Sequence, residues 1–549
     1  MGRTASRGWR EFTIVAAGFG LLTVFFTAPL ALHLGRVARL DNADTRMLIW
    51  NVAWVARTIV VDPLHLFDAN IFYPHRWTLV FSESNIGAGV LAIPVYWATR
   101  NPYAAHNFVV VLSFVLSATS TYYLVRYLVR DRRAAIIAAV CFAYCPYVFS
   151  HLPHVHLLMT AGIPLSMLAF HRLVDQPSVG RGAILGLIVA AEAFFCGYYA
   201  VFVALTVGFA VLIVTITRRL WTNLRFWSAM MVAAVVGGAL ALPLFVPYMR
   251  LQREAGFMRP LDDARLWSAT WRSYLASSAH AHSWMLPLIR PWGEVLFPGF
   301  VTLIAGIAGW AIASTRRGPL RELAVLYGSL IVVALWASWG PDGGLYLMLR
   351  ATIPAFSFMH APARFGILVV FALAVLGAIA TTALLERMGS RFGTVLAAVV
   401  VLIAVAELKV PLSFSRVPPL EPAYRVLAKL PWGPVLEMPV YSSRFASNRT
   451  RYMLDSTSHW KPLVNGYSSH VPPDFHEKTA TLGGFPSRAS FRLLERDRVR
   501  YVVFHMHRLD ARARQAVSER LRTFEPYLAR RYADERVRLY EIVNFPVQD

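Results

Sequence analysis

The chain has 549 residues, of which 56% are hydrophobic, 13% aromatic and 15% charged, and its mean hydropathy is +0.48. This composition excludes a cytosolic enzyme, a fibre or a disordered chain for most of the length, and it predicts a multi-spanning membrane protein. The formal net charge of +23 does not indicate nucleic-acid binding, because the basic residues lie in short clusters between apolar runs.

Apolar runs long enough to cross a bilayer recur along the chain, since about 30 Å of hydrocarbon requires roughly 20 helical residues. Eleven runs are predicted to span, at 12–32, 107–128, 134–150, 157–172, 182–197, 199–217, 227–248, 297–314, 322–339, 364–385 and 393–410. Arginine is concentrated in alternate connecting segments, which predicts a cytoplasmic N-terminus. Three outer segments are then long, at 33–106, 249–296 and 340–363.

The apolar stretch 86–98 lies inside the first long outer segment. It has about 13 residues and contains Pro94, so it is too short to span and fits a re-entrant or interfacial helix. The alternative, counting it as a span, would reverse the orientation of everything after it.

The composition changes near residue 412, after which no further apolar run of about 20 residues occurs. The segment 412–549 is predicted to be a small extracytoplasmic α/β domain, and 1–411 a mainly α transmembrane bundle that includes the outer loop 33–106. Strands are predicted at 435–439, 501–505 and 537–542, with amphipathic helices near 488–497 and 511–523.

Acidic residues directly follow the first predicted span. Asp41 and Asp44 precede a predicted helix at the membrane surface. An aspartate placed there can act as a general base on a hydroxyl or hold a divalent cation beside a phosphate. The alternative is an N-cap, because Asp before a helix accepts from free backbone N–H groups. Glu83, just before the short run 86–98, either joins these carboxylates or caps that run.

Three histidines, His151, His154 and His156, lie in the outer turn after the third predicted span. Their number suggests zinc, but no H-E-x-x-H pattern or cysteine partner accompanies them, and Pro153 interrupts a helix there. Polar residues that line a substrate cavity are the favoured interpretation.

Arg364 lies at the outer end of the tenth predicted span, with His360 just before it. A guanidinium matches phosphate oxygens through paired hydrogen bonds, whereas the alternative is an arginine that anchors the span at the interface. Tyr198 and Tyr199, between the fifth and sixth spans, either face the same cavity or form part of an aromatic belt. In the C-terminal domain, His459 and Asn465 suit contacts with a sugar, although loop packing explains them equally well.

The arrangement resembles the GT-C glycosyltransferases, integral membrane enzymes that take a sugar from a polyprenyl-phosphate donor. The features that resemble them are Asp41-Asn42-Ala43-Asp44, the stretch 66–74 (LFDANIFYP), Ser82-Glu83 and the soluble C-terminal domain. In appearance the chain is most similar to the bacterial members related to mannosyl- and aminoarabinosyl-transferases.

The resemblance implies that an acidic residue of the first outer loop, Asp41 or Asp44, is the catalytic base for an inverting transfer at the outer face of a bacterial inner membrane. It implies a polyprenyl-phosphate-linked sugar donor, a glycan, lipid or protein acceptor, and contact with membrane lipids, with no role for nucleic acid. Some family members use a divalent cation such as Mg²⁺ or Mn²⁺ and others do not, so a metal stays open. The alternatives are a transporter or flippase of a lipid-linked saccharide, and a noncatalytic scaffold.

Overall fold

Long apolar helices make up most of the chain in the computed structural model, which describes residues 2–256, 258–289 and 293–547. Nine helices of this described part are long and apolar enough to cross a membrane. They are Gly8–Thr27, Pro102–Val129, Arg132–Ser150, Val155–Asp175, Gly197–Arg218, Leu224–Glu254, Pro319–Ser338, Pro362–Arg387 and Ser390–Leu408. The predicted polytopic helical fold is therefore confirmed.

Each of the eleven predicted spans coincides with a helix, but two of these helices are short. Val179–Phe195 has 17 residues and Phe300–Thr315 has 16. The 14-residue helix Ile86–Thr99 is shorter still, and it contains Pro94. Within Arg132–Ser150 the helix breaks at Tyr144–Cys145 before Pro146, as expected for a residue that cannot continue the hydrogen-bond ladder.

Chain contacts divide the molecule into two compact units. The helical unit comprises Met1–Leu32 and Phe108–Ser413, and the mixed unit comprises His33–Asn107 and Phe414–Asp549. The second boundary lies close to residue 412, where the composition changes. The first outer segment, which the sequence places with the membrane bundle, groups instead with the C-terminal domain.

Small residues allow helices of the helical unit to approach closely. A Cβ added at Gly182 would meet the carbonyl oxygen of Ala229 on the helix Leu224–Ala255, and one added at Gly309 would meet that of Leu376. Helices in a bilayer gain little from hydrophobic burial against each other, so backbone contact at such positions supplies much of their packing.

Hydrogen bonds explain why the first outer segment belongs to the mixed unit. Asn70 accepts from the indole N–H of Trp50 at 2.9 Å and donates to Ser456 and to the Lys461 carbonyl, both at 3.1 Å. The backbone N–H of Phe72 also donates to the Asn465 carbonyl. The segment therefore fills the interior of the same unit as the C-terminal domain.

The mixed unit contains two short strands, β1 (Val37–Ala38) and β2 (Ser415–Arg416), which pair antiparallel. It also contains a four-stranded sheet formed by β3 (Val435–Met438), β4 (Tyr501–His505), β5 (Leu528–Ala533) and β6 (Val537–Ile542). The order is β3-β4-β6-β5, with β3 parallel to β4 and the other pairs antiparallel. The helices are Ala43–Val61, Ile86–Thr99, Pro422–Lys429, Arg449–Asp455, Phe475–Gly483, Arg488–Arg496 and Ala511–Thr523.

Both faces of this sheet are covered. Alternate residues of β4 enter opposite cores, with Val502 and Phe504 in one and Tyr501 and Val503 in the other. A strand buried on both faces has a continuous apolar sequence, and this run of apolar residues is the pattern that predicts β4.

Three of the four sheet strands and both amphipathic helices lie where the sequence predicts them. The strand β5 is the exception. Its sequence, LARRYA, has exposed arginines, and its register with β6 shifts between Arg530 and Tyr532, so no regular alternation is present.

We predict that Asn70→Ala destabilises the mixed unit. Three buried groups would lose their partner, which corresponds to about 2–4 kcal/mol. The thermal midpoint of the purified protein in detergent should fall, and protease should cleave the mixed unit more readily. Asn544→Ala, at an exposed asparagine with one local bond, is the matched control. Equal thermal midpoints for the two variants would show that the hydrogen bonds of Asn70 do not stabilise the mixed unit.

Candidate functional site

A buried ion pair lies in the turn that contains the three histidines. His151 Nε2 is 3.3 Å from Glu294 Oε2, and both side chains are largely buried. On the other side of the ring, Nδ1 donates to the Tyr147 carbonyl at 2.9 Å. The two ring nitrogens therefore face a carboxylate and a backbone carbonyl. His154 and His156 follow, with ring centroids 5.9 Å apart.

Arg364 brings a positive charge to the helical unit. It lies in the 3₁₀ turn Pro362–Phe365 and is 9% exposed, with its guanidinium carbon 4.3 Å from the ring centroid of Tyr198. Its Nε has no hydrogen-bond partner among the described residues. Burial raises the pKa of Glu294, but His151, Arg364 and His154 more than offset this and leave that pKa below its ordinary value. Glu294 therefore stays ionised as a counter-ion.

Tyr198 connects Arg364 to His360. The tyrosine hydroxyl accepts from the backbone N–H of His360 at 2.9 Å and lies 2.8 Å from its Nδ1. Burial, together with the charge of Arg364, lowers the pKa of His360 to about 2, so the imidazole is neutral. Tyr199 points elsewhere, since its hydroxyl donates to the Leu157 carbonyl at 2.8 Å and holds the histidine turn in place.

Glu294 also lines a cleft of about 540 Å³ in the helical unit. The cleft walls include two arginines, two tryptophans and an aspartate, namely Arg265, Arg272, Trp267, Trp339 and Asp342. Cationic and aromatic groups together can contact both an anion and the face of a sugar.

In the mixed unit, Asp44 lies in the first turn of the helix Ala43–Val61. The N-cap of this helix is Asn42, whose side-chain oxygen accepts from the backbone N–H of Asp44 at 2.7 Å. The carboxylate of Asp44 accepts from the hydroxyl of Tyr467 at 3.2 Å. The capping role that was the alternative for the aspartates therefore falls to Asn42.

The other two predicted carboxylates have different surroundings. Asp41 has a 57% exposed side chain and pairs with Arg39 at 3.4 Å. Glu83 is half-buried, and its backbone carbonyl accepts from the side-chain amides of Asn51 and Asn85. The N-cap of the helix Ile86–Thr99 is Asn85.

In the mixed unit, His459 is half-buried and Asn465 is buried. Burial, with the charge of Lys461, lowers the pKa of His459 to about 3, and its ring stacks on Tyr424. Asn465 accepts from the backbone N–H of Glu437 at 2.8 Å and donates to its carbonyl at 3.0 Å. The side chain of Asn465 thus bonds the backbone of β3 as a neighbouring strand would.

A cleft of about 460 Å³ opens in the mixed unit. Its lining combines aromatic, acidic, basic and amide groups, including Trp54, Trp432, Trp460, Arg57, Arg76, Asp62, Asp68, His65, His75, Asn70 and Tyr73. Tryptophan faces with hydrogen-bonding groups around them are suited to saccharides, which have apolar faces and hydroxyl edges.

Among the described residues, one group of three or more His, Cys, Asp or Glu side chains has ligand atoms close enough to hold a metal ion: Glu421, His505 and His507. Asp41, Asp44 and Glu83 are not in such a group, nor are the histidines of the turn. Sequence patterns do not indicate this group or Glu294, because neither belongs to a recognisable spacing.

Several solved structures resemble this chain. The arabinofuranosyltransferase AftD from Mycobacteria superposes with a TM-score of 0.59 at 17% identity, over 97% of this chain and 41% of AftD. The oligosaccharyltransferase of Archaeoglobus fulgidus gives 0.49 at 13% identity, over 94% and 73% of the two chains. ArnT from Cupriavidus metallidurans, in complex with undecaprenyl phosphate, gives 0.40 at 12% identity, over 98% and 99%.

These three proteins are GT-C glycosyltransferases, and the likeness to AftD shows that this chain has the GT-C fold. No protein-family model matches the sequence, and no curated protein matches it significantly.

We predict that Glu294→Gln destabilises the helical unit. It would remove the buried negative charge that contacts His151 and acts electrostatically on Arg364, and removal of one partner of a buried pair costs about 3–5 kcal/mol. The thermal midpoint in detergent should fall, and adding Arg364→Gln should restore part of the loss. Glu254→Gln, at a 72% exposed glutamate, is the control. If Glu294→Gln behaves like this control, the carboxylate is not the counter-ion.

Proposed function

We propose that the chain is a multi-pass membrane glycosyltransferase that moves a sugar from a polyprenyl-phosphate donor to an acceptor at the outer face of a bacterial inner membrane. The observation that supports this most directly is Arg364, a buried guanidinium with an unpartnered Nε at the start of an apolar helix. Such a group suits an anionic ligand, and the GT-C fold makes a lipid phosphate the natural candidate.

In this proposal the positive charge of Arg364 stabilises the departing lipid phosphate. Bond cleavage at the anomeric carbon places growing negative charge on the lipid phosphate. Arg364 would stabilise that charge through paired hydrogen bonds, because its position is already fixed by the Tyr198 ring. Neutral His360 holds Tyr198 in place.

We infer that Asp44, rather than Asp41, is the base. Its carboxylate would take the proton of an acceptor hydroxyl as the oxygen attacks the anomeric carbon from the face opposite the phosphate, which inverts the configuration. The Tyr467 hydroxyl orients the carboxylate, and half-burial limits competition from water. Asp41 is more exposed and is engaged by Arg39.

The cleft of the mixed unit offers a surface for the acceptor. Trp432 is 65% exposed and presents an aromatic face, while the largely buried Trp54 and Trp460 pack with ring centroids 5.7 Å apart and Arg57 lies 5.5 Å from the Trp460 ring. A glycan acceptor would find stacking surfaces and hydrogen-bonding groups there, and we assign the acceptor class on that basis.

We predict that Asp44→Asn lowers turnover by about 10²- to 10⁴-fold, the usual contribution of a general base. Folding should change little because Asn42 remains as the cap. Asp41→Asn is the matched control and should keep most of the activity. Transfer from a panel of radiolabelled polyprenyl-phosphate sugars, with the thermal midpoint of each variant, measures both effects. Near-native transfer by Asp44→Asn would reject this base and make Glu83 the next candidate.

We predict that Arg364→Lys weakens donor use by about tenfold or more, while expression and the thermal midpoint in detergent stay close to the wild type. An ammonium keeps the charge but loses the paired hydrogen bonds. Arg316→Lys, at an exposed helix end, should change nothing. Titration of the donor at fixed acceptor concentration measures the rate and the apparent donor affinity of each variant. If both are unchanged in Arg364→Lys, the phosphate site lies elsewhere, with His151 and His154 as the next candidates.

A further inference from the structure

Three side chains of the mixed unit converge at one end of its sheet. Glu421 precedes the helix Pro422–Lys429, His505 ends β4, and His507 lies in the 3₁₀ turn Met506–Arg508. His505 Nδ1 is 3.2 Å from Glu421 Oε2, and His507 Nε2 is 3.7 Å from Glu421 Oε1. One atom from each residue lies within 4.8 Å of the other two.

Both imidazoles are oriented by hydrogen bonds on their far sides. His505 Nε2 is 2.8 Å from Glu437 Oε2, and His507 Nδ1 is 3.1 Å from the carbonyl oxygen of Arg536. Both of these partners are acceptors, so the far nitrogen of each ring must donate. The near nitrogen of a neutral ring then presents a lone pair toward Glu421, and histidines that bind metals are held by this same kind of outer hydrogen bond.

The contact between His505 Nδ1 and Glu421 Oε2 requires a positive charge between the two atoms. His505 is fully buried, and neither its Nδ1 nor Glu421 Oε2 has a hydrogen-bond partner among the described residues. Two lone pairs facing each other across 3.2 Å would repel, so either a proton on Nδ1 or a metal ion is expected between these buried atoms. A cation between them would satisfy both.

We propose that Glu421, His505 and His507 bind a divalent metal ion, with Zn²⁺ as the best match. Zinc takes two imidazoles and one carboxylate at about 2.0–2.2 Å in a tetrahedral arrangement, so its ligands lie about 3.3–3.5 Å apart. The two histidines lie 3.2 and 3.7 Å from the two different oxygens of the Glu421 carboxylate, and the three ligand atoms lie within 4.8 Å of one another, so small side-chain shifts would bring them to that spacing. Because Glu421 and His507 are partly exposed, a water molecule completes the coordination.

Arg536 competes for the same carboxylate. Its Nη2 lies 3.7 Å from Glu421 Oε1, but the side chain is 66% exposed and can turn into solvent when a metal binds. Glu437, fully buried behind His505, supplies a second negative charge. The site is independent of the proposed transfer reaction, and its metal would join the end of β4 to the helix Pro422–Lys429.

The test uses the full-length protein in detergent, stripped with a chelator and titrated with Zn²⁺ by calorimetry, with metal content measured by mass spectrometry. We expect one zinc per chain, with affinity reduced more than about 100-fold by His507→Ala or Glu421→Gln, because even the loss of an outer hydrogen bond costs about 10–100-fold. His476→Ala, at an exposed histidine of the same unit, should bind like the wild type.

Thermal midpoints separate a metal site from a protonated histidine. In Glu421→Gln the amide N–H can donate to His505 Nδ1, so the metal-free variant should be at least as stable as the metal-free wild type and should show no increase with Zn²⁺. The wild type should be stabilised by Zn²⁺. The proposal is overturned if the wild type binds no zinc, if both variants bind it unchanged, or if metal-free Glu421→Gln is clearly less stable, as a lost imidazolium pair would require.

Discussion

The positions of several side chains in the helical unit follow from the burial of the Arg364 guanidinium. Arg364 cannot be neutralised and lies at the start of an apolar helix, where unpaired charge is costly. The Tyr198 ring takes one side of the guanidinium, and Glu294 supplies negative charge that it shares with His151. A set of residues from four separate parts of the chain is thereby held in fixed positions, which is the preorganisation that an anionic leaving group requires.

The interior of the mixed unit is assembled from two segments that lie far apart in sequence. Asn70 satisfies polar groups on both segments at once, and its bonds reach 386 and 391 residues along the chain. Asp44 and Tyr467 are brought together by the same assembly, 423 residues apart. The position of the proposed base therefore depends on the folding of the C-terminal domain as much as on the membrane helix before it.

Local patterns predict much of this structure. The apolar runs, the continuous strand β4 and the helix Ala511–Thr523 follow from periodicity and run length. The histidine turn and Arg364 are likewise found from the sequence, as ionisable groups beside apolar runs. Other features depend on contacts over long separations. The grouping of 33–107 with the C-terminal domain is one, and the convergence of Glu421 with His505, 84 residues later, is another. Glu294 lies in a segment without any periodic pattern, so its pairing with His151 becomes visible only in three dimensions.

The division of the mixed unit between two ends of the sequence also has a consequence for biosynthesis. More than 300 residues of the helical unit separate Asn107 from Phe414, and at about 5–20 residues per second their translation takes roughly 15–60 s. During that interval the segment around Asp44 and Asn70 is complete but lacks the strands and loops that bury it. Until the last quarter of the chain emerges, Asn70 therefore lacks its partners Ser456 and Lys461.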